Sequence, residues 1–105
     1  MPTIHVKSME EFVQLTSSSK VTMVDFYATW CGPCVFVAPR IEQLSNDYPT
    51  IQFLKVDVDE LNDVSSKCEI RAMPTFQFYQ NGQKMREDIV GANMDAIMEF
   101  IEKNK

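Results

Sequence analysis

Several patterns that would place this chain in a particular protein class are scarce or missing from its 105 residues. No stretch approaches the ~20 consecutive apolar residues of a membrane-spanning helix, and the opening Met1-Pro2-Thr3-Ile4-His5 lacks the charged and apolar regions of a signal peptide. Ten basic against 15 acidic residues give a net charge of -5, which disfavours nonspecific binding to nucleic acid or to an anionic membrane surface. We therefore expect a cytoplasmic protein whose partners are proteins or neutral small molecules.

Cysteine is also scarce. Three cysteines, with an odd one left over, do not resemble the dense disulfide framework of a small secreted scaffold, so a reducing compartment is expected. The chain has no internal repeat, low-complexity run or linker, and its length and 45% apolar composition suit one compact core. We expect a single domain over residues 1–105 and a monomer.

The spacing of apolar residues predicts alternating strands and helices. Strands are predicted at residues 4–6, 21–28, 51–58, 75–79 and 86–90, with helices after Ser8, after Cys31, near Leu61 and from about Asn93. Glu11 follows Ser8 at the spacing of a capping box, and Pro39 predicts a kink in the second helix. Asn81-Gly82 predicts a tight turn that pairs the last two strands. The fold class is therefore α/β, a mixed sheet with helices on both faces.

Two cysteines form the pattern Trp30-Cys31-Gly32-Pro33-Cys34, where a predicted strand meets a predicted helix. Pro33 suits the first helical turn, and Gly32 is expected to let the chain bend into it. A disulfide across so short a loop stabilises a fold by only roughly 2 kcal/mol, whereas unpaired N–H groups and the helix dipole favour a thiolate at this position. The pattern thus favours redox chemistry. Cys31, at the more exposed end, is the predicted nucleophile, and Cys34, one turn deeper, is predicted to resolve the mixed disulfide.

A zinc site is the alternative interpretation of a lone Cys-x-x-Cys, but a structural zinc normally needs four ligands. The other soft candidates are Cys68 and His5, and neither belongs to a second ligand pair. Cys68 falls on a helical core stripe, which favours an inert buried thiol over a regulatory one. The acidic run from Asp57 to Asp63 lacks the glycine and spacing of an EF-hand loop. No metal site is predicted.

The run from Val24 to Cys34 closely resembles the active-site strand and turn of thioredoxins, and further matches follow in order at residues 38–39, 55–59, 73–76 and 90–92. The resemblance covers essentially the whole chain. It implies the thioredoxin fold, a five-stranded mixed sheet of order 1-3-2-4-5, with a cis peptide bond before Pro74. It also implies a protein-disulfide reductase without a bound cofactor, which receives electrons from NADPH through a thioredoxin reductase. The implied substrates are disulfide-containing proteins such as peroxiredoxins and ribonucleotide reductase.

Asp25 lies within an apolar strand, where desolvation should raise its pKa. By itself this position also fits a carboxylate that is satisfied by backbone or water. The resemblance implies that Asp25 lies beneath Cys34 and relays its proton, and that Lys55 is the partner of this aspartate. Without the resemblance, Lys55 would be read as a surface lysine at the edge of a strand.

The resemblance also implies a substrate-contact surface around the two cysteines. Its predicted members are Trp30, Gly32, Pro33, Met73, Pro74, Gly91 and Ala92. The Met73 backbone is expected to pair with an extended substrate segment, as in strand addition. Gly91 and Ala92 would let that segment approach, although the two residues could also be only the lead into a helix.

Two other functions use the same residues differently. An oxidase or isomerase of this fold would run the dithiol in reverse, but Gly32-Pro33 resembles reducing thioredoxins, whereas oxidising relatives typically carry a histidine there. A noncatalytic binding module would keep its function without the cysteines. Three positions depart from parts of the family: Ala72 replaces a cysteine that some animal members carry, Tyr27 replaces a tryptophan, and Val35 replaces a lysine. We expect no disulfide-linked dimer through position 72.

Overall fold

Strands and helices alternate along the chain in the predicted order. The computed structural model describes residues 3–105, so Met1 and Pro2 of the predicted domain and of the opening segment lie outside the described residues. The strands are β1 Ile4–His5, β2 Thr22–Tyr27, β3 Gln52–Asp57, β4 Thr75–Gln80, β5 Gln83–Lys84 and β6 Ile89–Val90. The helices are α1 Met9–Thr16, α2 Gly32–Asp47, α3 Asn62–Lys67 and α4 Met94–Asn104. Within residues 3–105, no helix is long and apolar enough to cross a membrane.

Side-chain caps explain where two of the helices begin. The Ser8 hydroxyl accepts the N–H of Glu11 at 3.1 Å and so caps α1, and the Asn93 side chain accepts the N–H of Ala96 at 3.1 Å and caps α4. The return half of the predicted capping box is displaced by one residue. The Glu11 carboxylate accepts the N–H of Lys7 at 2.6 Å, one residue before the cap, rather than that of Ser8.

The central strand β2 has β3 beside it in parallel and β4 beside it in antiparallel orientation, within the order β1-β3-β2-β4-β5. This order is the one that the family resemblance implies. The nearly continuous apolar character of β2 follows from its position, because Met23, Val24 and Phe26 are fully buried. Parallel pairing places Asp25 directly opposite Lys55, two candidate site residues that lie far apart in the sequence.

The edge strand differs from the prediction of one strand at residues 86–90. Strand β5 directly follows the Asn81-Gly82 turn, and β6 returns to the same edge of β4, where Ile89 pairs with Phe76. Phe76 and Phe78 of β4 are two residues apart. The residues that face them, Ile89 and Met85, are four residues apart. Two residues therefore bulge out of the ladder, and six strands occupy five positions.

A long-range polar contact accounts for this interruption. The side chain of Gln77 is buried on β4 and donates to both carboxylate oxygens of Asp88, at 3.1 and 3.2 Å. Asp88 also pairs with Lys84 at 2.7 Å. The Gln77 amide also donates to the carbonyl of Cys68 at 3.3 Å, so Asp88 is its second partner, and the shorter bonds to Asp88 stabilise the bulged path.

Two apolar layers cover the sheet, one on each face. On one face, α2 and α4 pack their buried residues against the sheet: Val37, Ile41, Leu44, Ile97 and Ile101. On the other, α1 and α3 contribute Phe12 and Val64, joined by Leu61 from the preceding loop. Helix α2 continues through Pro39, and the kink expected there stays a prediction.

Candidate redox-active site

The two cysteines lie at the start of α2, where β2 delivers the chain to the helix. They form a disulfide with a Cα–Cα distance of 5.3 Å. Cys31 is the N-cap residue, and its sulfur accepts the N–H of Cys34 at 3.2 Å. Pro33 occupies the first helical turn, where its missing N–H leaves no bond unmade. Negative charge on the Cys31 sulfur would therefore face a helix N–H group and the positive end of the helix dipole.

Exposure separates the two cysteines very little. Cys31 is 6% exposed and Cys34 is 5% exposed, so the difference expected from the sequence does not by itself distinguish their roles. Their other contacts do distinguish them, because Cys34 lines a cavity that also contains Asp25.

Gly32 is not needed for the bend into α2 that the sequence analysis assigned to it. Its φ angle lies outside the left-handed region, and a Cβ at this position would meet no atom within 4 Å. The bend into α2 therefore does not require glycine. Gly32 and Pro33 instead leave an open surface beside the two buried sulfur atoms.

Asp25 is buried in the wall of a cavity of about 210 Å³ behind the disulfide. It is 2% exposed, and its Oδ1 has no hydrogen-bond partner within the described part of the chain. Burial raises its pKa from 3.8 to about 7, although the positive charge of Lys55 acts in the opposite direction. A carboxyl with this pKa can hold or release a proton near neutral pH.

Lys55 lines the same cavity but makes no ion pair with Asp25. The salt bridges among residues 3–105 are Lys84–Asp88 and Lys105–Glu102. The Lys55 ammonium lies over the ring of Tyr27 instead, 4.6 Å from its centroid. Lys55 therefore acts on Asp25 as a nearby positive charge that lowers the pKa of the carboxyl, and the two side chains do not form the expected contact pair.

Trp30 lies on the surface beside the dithiol. It is 68% exposed, and its indole N–H donates to the carboxylate of Asp59 at 2.8 Å. The hydrogen bond fixes the orientation of an exposed aromatic ring, in agreement with a contact surface rather than a core position. Asp59 was not predicted as part of the site, because nothing local in the sequence links residues so far apart.

The loops before β4 and after β6 complete the site. Met73 packs against the two cysteines and Ala28, and its peptide bond to Pro74 is cis, as expected. The carbonyl of Pro74 accepts the N–H of Gly91 at 2.8 Å. Gly91 has a φ of 89°, a conformation that favours glycine. Ala92 is exposed directly after it. The loop before β4 thus contacts the dithiol through Met73, and the loop after β6 is joined to that loop through Gly91.

Comparisons with known proteins agree with this geometry. The Thioredoxin family model matches residues 3–103. Thioredoxin-1 of Saccharomyces cerevisiae is 48% identical over 98 residues, which cover 93% of this chain and 94% of that protein. The chain belongs to the thioredoxin family.

Solved thioredoxin structures show the same fold. The thioredoxin of Malassezia sympodialis superposes with a TM-score of 0.91 at 40% identity, covering 99% of this chain and 94% of that one. A second solved chain comes from work on how the glutathione and thioredoxin systems resolve thiols in yeast mitochondrial 1-Cys peroxiredoxin. Its TM-score is 0.89 at 38% identity, and the match covers 96% of this chain and 94% of that one.

Membership of the thioredoxin family establishes the activity. The protein is a protein-disulfide reductase that acts on partner proteins by dithiol–disulfide exchange through Cys31 and Cys34. Thioredoxins need no bound cofactor, because the exchanged electrons reside in the dithiol itself.

Cys68 lies apart from this site. It is half-buried at the C-terminal end of α3, beside a cavity of about 190 Å³ that Tyr79 also lines, and is therefore less enclosed than predicted. Its sulfur lies 3.8 Å from the Tyr79 hydroxyl, and burial raises the pKa of the thiol. In the described part of the chain, no cluster of three or more histidine, cysteine or carboxylate side chains could hold a metal ion.

The sequence analysis also missed an exposed apolar patch on α2. Phe36 is 84% exposed and Val35 is 60% exposed. The patch could have been predicted from helical spacing. The buried residues Cys34, Val37 and Ile41 share one face of α2, and Phe36 lies on another.

Proposed function

We propose that Cys31 attacks and Cys34 resolves during disulfide reduction, with Asp25 as the proton relay. The Cys31 thiolate bonds to one sulfur of the partner's disulfide and releases the other as a thiolate. Cys34 then loses its proton and attacks the Cys31 sulfur, which forms the intramolecular disulfide and releases the partner's first sulfur. Two electrons pass to the partner, and two protons complete its thiols.

The difference in surroundings between the two sulfur atoms supports these roles. Cys31 is the helix cap that accepts an N–H, so its charged form is stabilised before any partner arrives. Cys34, unlike Cys31, lines the cavity that also contains Asp25. A carboxyl with a pKa of about 7 in that cavity suits proton acceptance from a neighbouring thiol. Lys55 adjusts that pKa as a positioning charge.

The contact surface is proposed to comprise Trp30, Gly32, Pro33, Met73, Pro74, Gly91 and Ala92. None of the described hydrogen bonds uses the Met73 backbone, and an extended partner segment would pair with it. Trp30 would cover the partner from the other side.

The electron source is proposed to be NADPH, passed on by a flavoenzyme thioredoxin reductase. A peroxiredoxin is a fitting partner, since a chain solved in work on peroxiredoxin thiol resolving resembles this one over nearly its whole length. Ribonucleotide reductase is a second candidate, and a reducing cytosol is the compartment in which the dithiol would be kept in its active state.

Insulin reduction coupled to NADPH oxidation tests this proposal. With thioredoxin reductase present, the wild-type protein should consume NADPH and precipitate insulin chains. Activity with dithiothreitol but none with any thioredoxin reductase would reject the proposed electron source and keep the dithiol chemistry. A protein poised as an oxidase would instead transfer its disulfide to a reduced peptide faster than it reduces insulin.

A further inference from the structure

A groove between α2 and α4 lies next to the active-site surface. It has a volume of about 400 Å³ and is lined by Phe36, Val37, Pro39, Arg40, Gln43 and Met94. We refer to these six residues as the α2/α4 groove. Its outer wall is Phe36, a large aromatic side chain that is 84% exposed. Phe36 and the adjacent Val35, which is 60% exposed, form an apolar patch at the surface, and such patches mark sites of contact with other molecules.

The charge in the groove is positive and unpaired. The Arg40 guanidinium contacts the Met98 sulfur at 3.3 Å, and no described carboxylate lies within ion-pair distance of it. Both acidic groups of the same helix have other partners: the Glu42 carboxylate accepts from the N–H and the hydroxyl of Thr3 at 3.0 Å, and Asp47 accepts from Gln43 at 3.0 Å. In a protein of net charge -5, an apolar groove that ends in a free cation is complementary to an apolar residue followed by an acidic one.

The groove is continuous with the dithiol surface. Pro33, Phe36 and Arg40 are spaced three and four residues apart on α2 and so share one face of the helix. The distance from Pro33 to Arg40 along the helix is about 10 Å, which an extended peptide spans with ~3 residues. Met94, which lines the groove from α4, lies three residues after Gly91 in the sequence.

We propose that the α2/α4 groove is a docking subsite for the partner segment next to its reducible cysteine. The subsite accepts an aromatic or aliphatic side chain against Phe36 and Met94, and a carboxylate at Arg40. Met94 suits such a site because its flexible thioether adapts to different shapes. The proposal extends the established reductase activity and does not depend on the role of Asp25.

The test uses short synthetic peptides whose single cysteine is in a mixed disulfide with nitrothiobenzoate. The Cys31 thiolate attacks the peptide sulfur and releases the coloured thiol, so stopped-flow absorbance gives the second-order rate of attack. One peptide carries Gly-Phe-Asp after the cysteine, and matched versions replace Phe by Ser or Asp by Lys. The same set is made in reverse order, since either chain direction is possible.

We expect the wild-type protein to prefer the Asp peptide to the Lys peptide by roughly 2- to 5-fold, in at least one chain direction. Arg40→Glu should reverse this preference. Lys20→Glu makes the same charge change in the exposed loop before β2, at the opposite end of that strand from the site, and should not. Phe36→Ser should slow attack on the Phe peptide by about 5-fold and leave the Ser peptide unchanged, whereas Val13→Ser on α1 should affect neither.

Dithiodipyridine, which has neither a peptide nor a carboxylate and releases a thione that absorbs light, separates docking from chemistry. All four variants should reduce it at the wild-type rate, because Phe36 and Arg40 are exposed and support no core contact. Equal rates for all peptides with the wild-type protein would overturn the proposal, as would a variant that slows every substrate alike. Failure of the dithiol chemistry itself would appear differently, as slow reduction of every substrate by the wild-type protein.

Discussion

Cys31 and Cys68 lie at opposite kinds of helix end: Cys31 at the N-terminus of α2, and Cys68 at the C-terminus of α3. Cys31 caps the N-terminus of α2, and its sulfur accepts a backbone N–H. Cys68 follows the C-terminus of α3, where its own N–H donates to the carbonyl of Val64 at 3.0 Å. Carbonyl oxygens at a helix C-terminus disfavour a thiolate, whereas N–H groups at an N-terminus favour one.

The two regions also differ in the groups next to the sulfur. The cavity that Cys34 lines contains the buried carboxyl of Asp25, whose pKa burial raises to about 7. Beside Cys68 lies the hydroxyl of Tyr79, whose own pKa burial raises well above its ordinary value of 10.0. These surroundings predict that the reactivity of a cysteine depends on where the fold places it, and each difference can be removed by a single substitution.

Replacing the active-site cysteines one at a time should have the largest effect. Cys31→Ser should abolish insulin reduction and should trap no partner, because the attacking sulfur is gone. Cys34→Ser should still attack but should not resolve, so mixed disulfides with partners should accumulate on non-reducing gels. The opposite trapping pattern would assign the nucleophile to Cys34. The Cys68→Ser variant is the matched control and should behave like the wild-type protein.

Asp25→Asn removes the one charged side chain that is buried among residues 3–105. Well below pH 3.8 the carboxyl is protonated in both the folded and unfolded states, and its burial then costs no ionisation energy. The cost develops as the pH rises from 3.8 and is complete above the folded-state pKa of about 7. Because a tenfold change in proton affinity corresponds to ~1.4 kcal/mol, the variant should gain up to about 4 kcal/mol above that pH and little in acid.

Denaturant unfolding at several pH values measures this gain, and decay of the mixed disulfide measures resolution. Resolution by the Asp25→Asn protein should be slower, while attack by Cys31 keeps its rate. A variant that is less stable at every pH, or that resolves as fast as the wild-type protein, would show a structural carboxylate and reject the relay.

Alkylation of the fully reduced protein compares the cysteines directly. At neutral pH, iodoacetamide should modify Cys31 at least about tenfold faster than Cys68, because only the thiolate reacts and burial raises the pKa of Cys68. Peptide mass spectrometry over time gives both rates in one sample. Comparable rates would mean that helix position has little influence on these thiols.

Cys68→Ser should produce the smallest effect. The side chain is half-buried, so a hydroxyl in its place should lower the free energy of unfolding by about 1 kcal/mol. Insulin reduction per folded molecule should stay within error of the wild type. A folded Cys68→Ser protein with impaired turnover would place this cysteine in the catalytic machinery.

Local patterns in the sequence predicted the elements and the dithiol. Ser8 and Asn93 cap helices within a few residues of themselves, and the spacing of Cys31 and Cys34 is a property of one helical turn. Contacts between distant segments could not be predicted in this way. The bond from Trp30 to Asp59 depends on how two loops meet.

The edge strand was mispredicted for the same reason. Its interruption depends on Asp88 reaching the buried Gln77, a contact that no run of neighbouring residues encodes. The family resemblance predicted the neighbourhood of Asp25 and Lys55, but not that the ammonium would lie over Tyr27.

The shortness of the outer strands affects how molecules of this protein meet in concentrated solution. One edge of the sheet ends in the two residues of β1, and the other in the two-residue strands β5 and β6, with a bulge between them. Long flat edges recruit strands from other molecules and seed aggregates, whereas short or bulged edges, particularly with a lysine such as Lys84, resist such growth. The bulge thus protects against intermolecular β-sheet assembly at this edge.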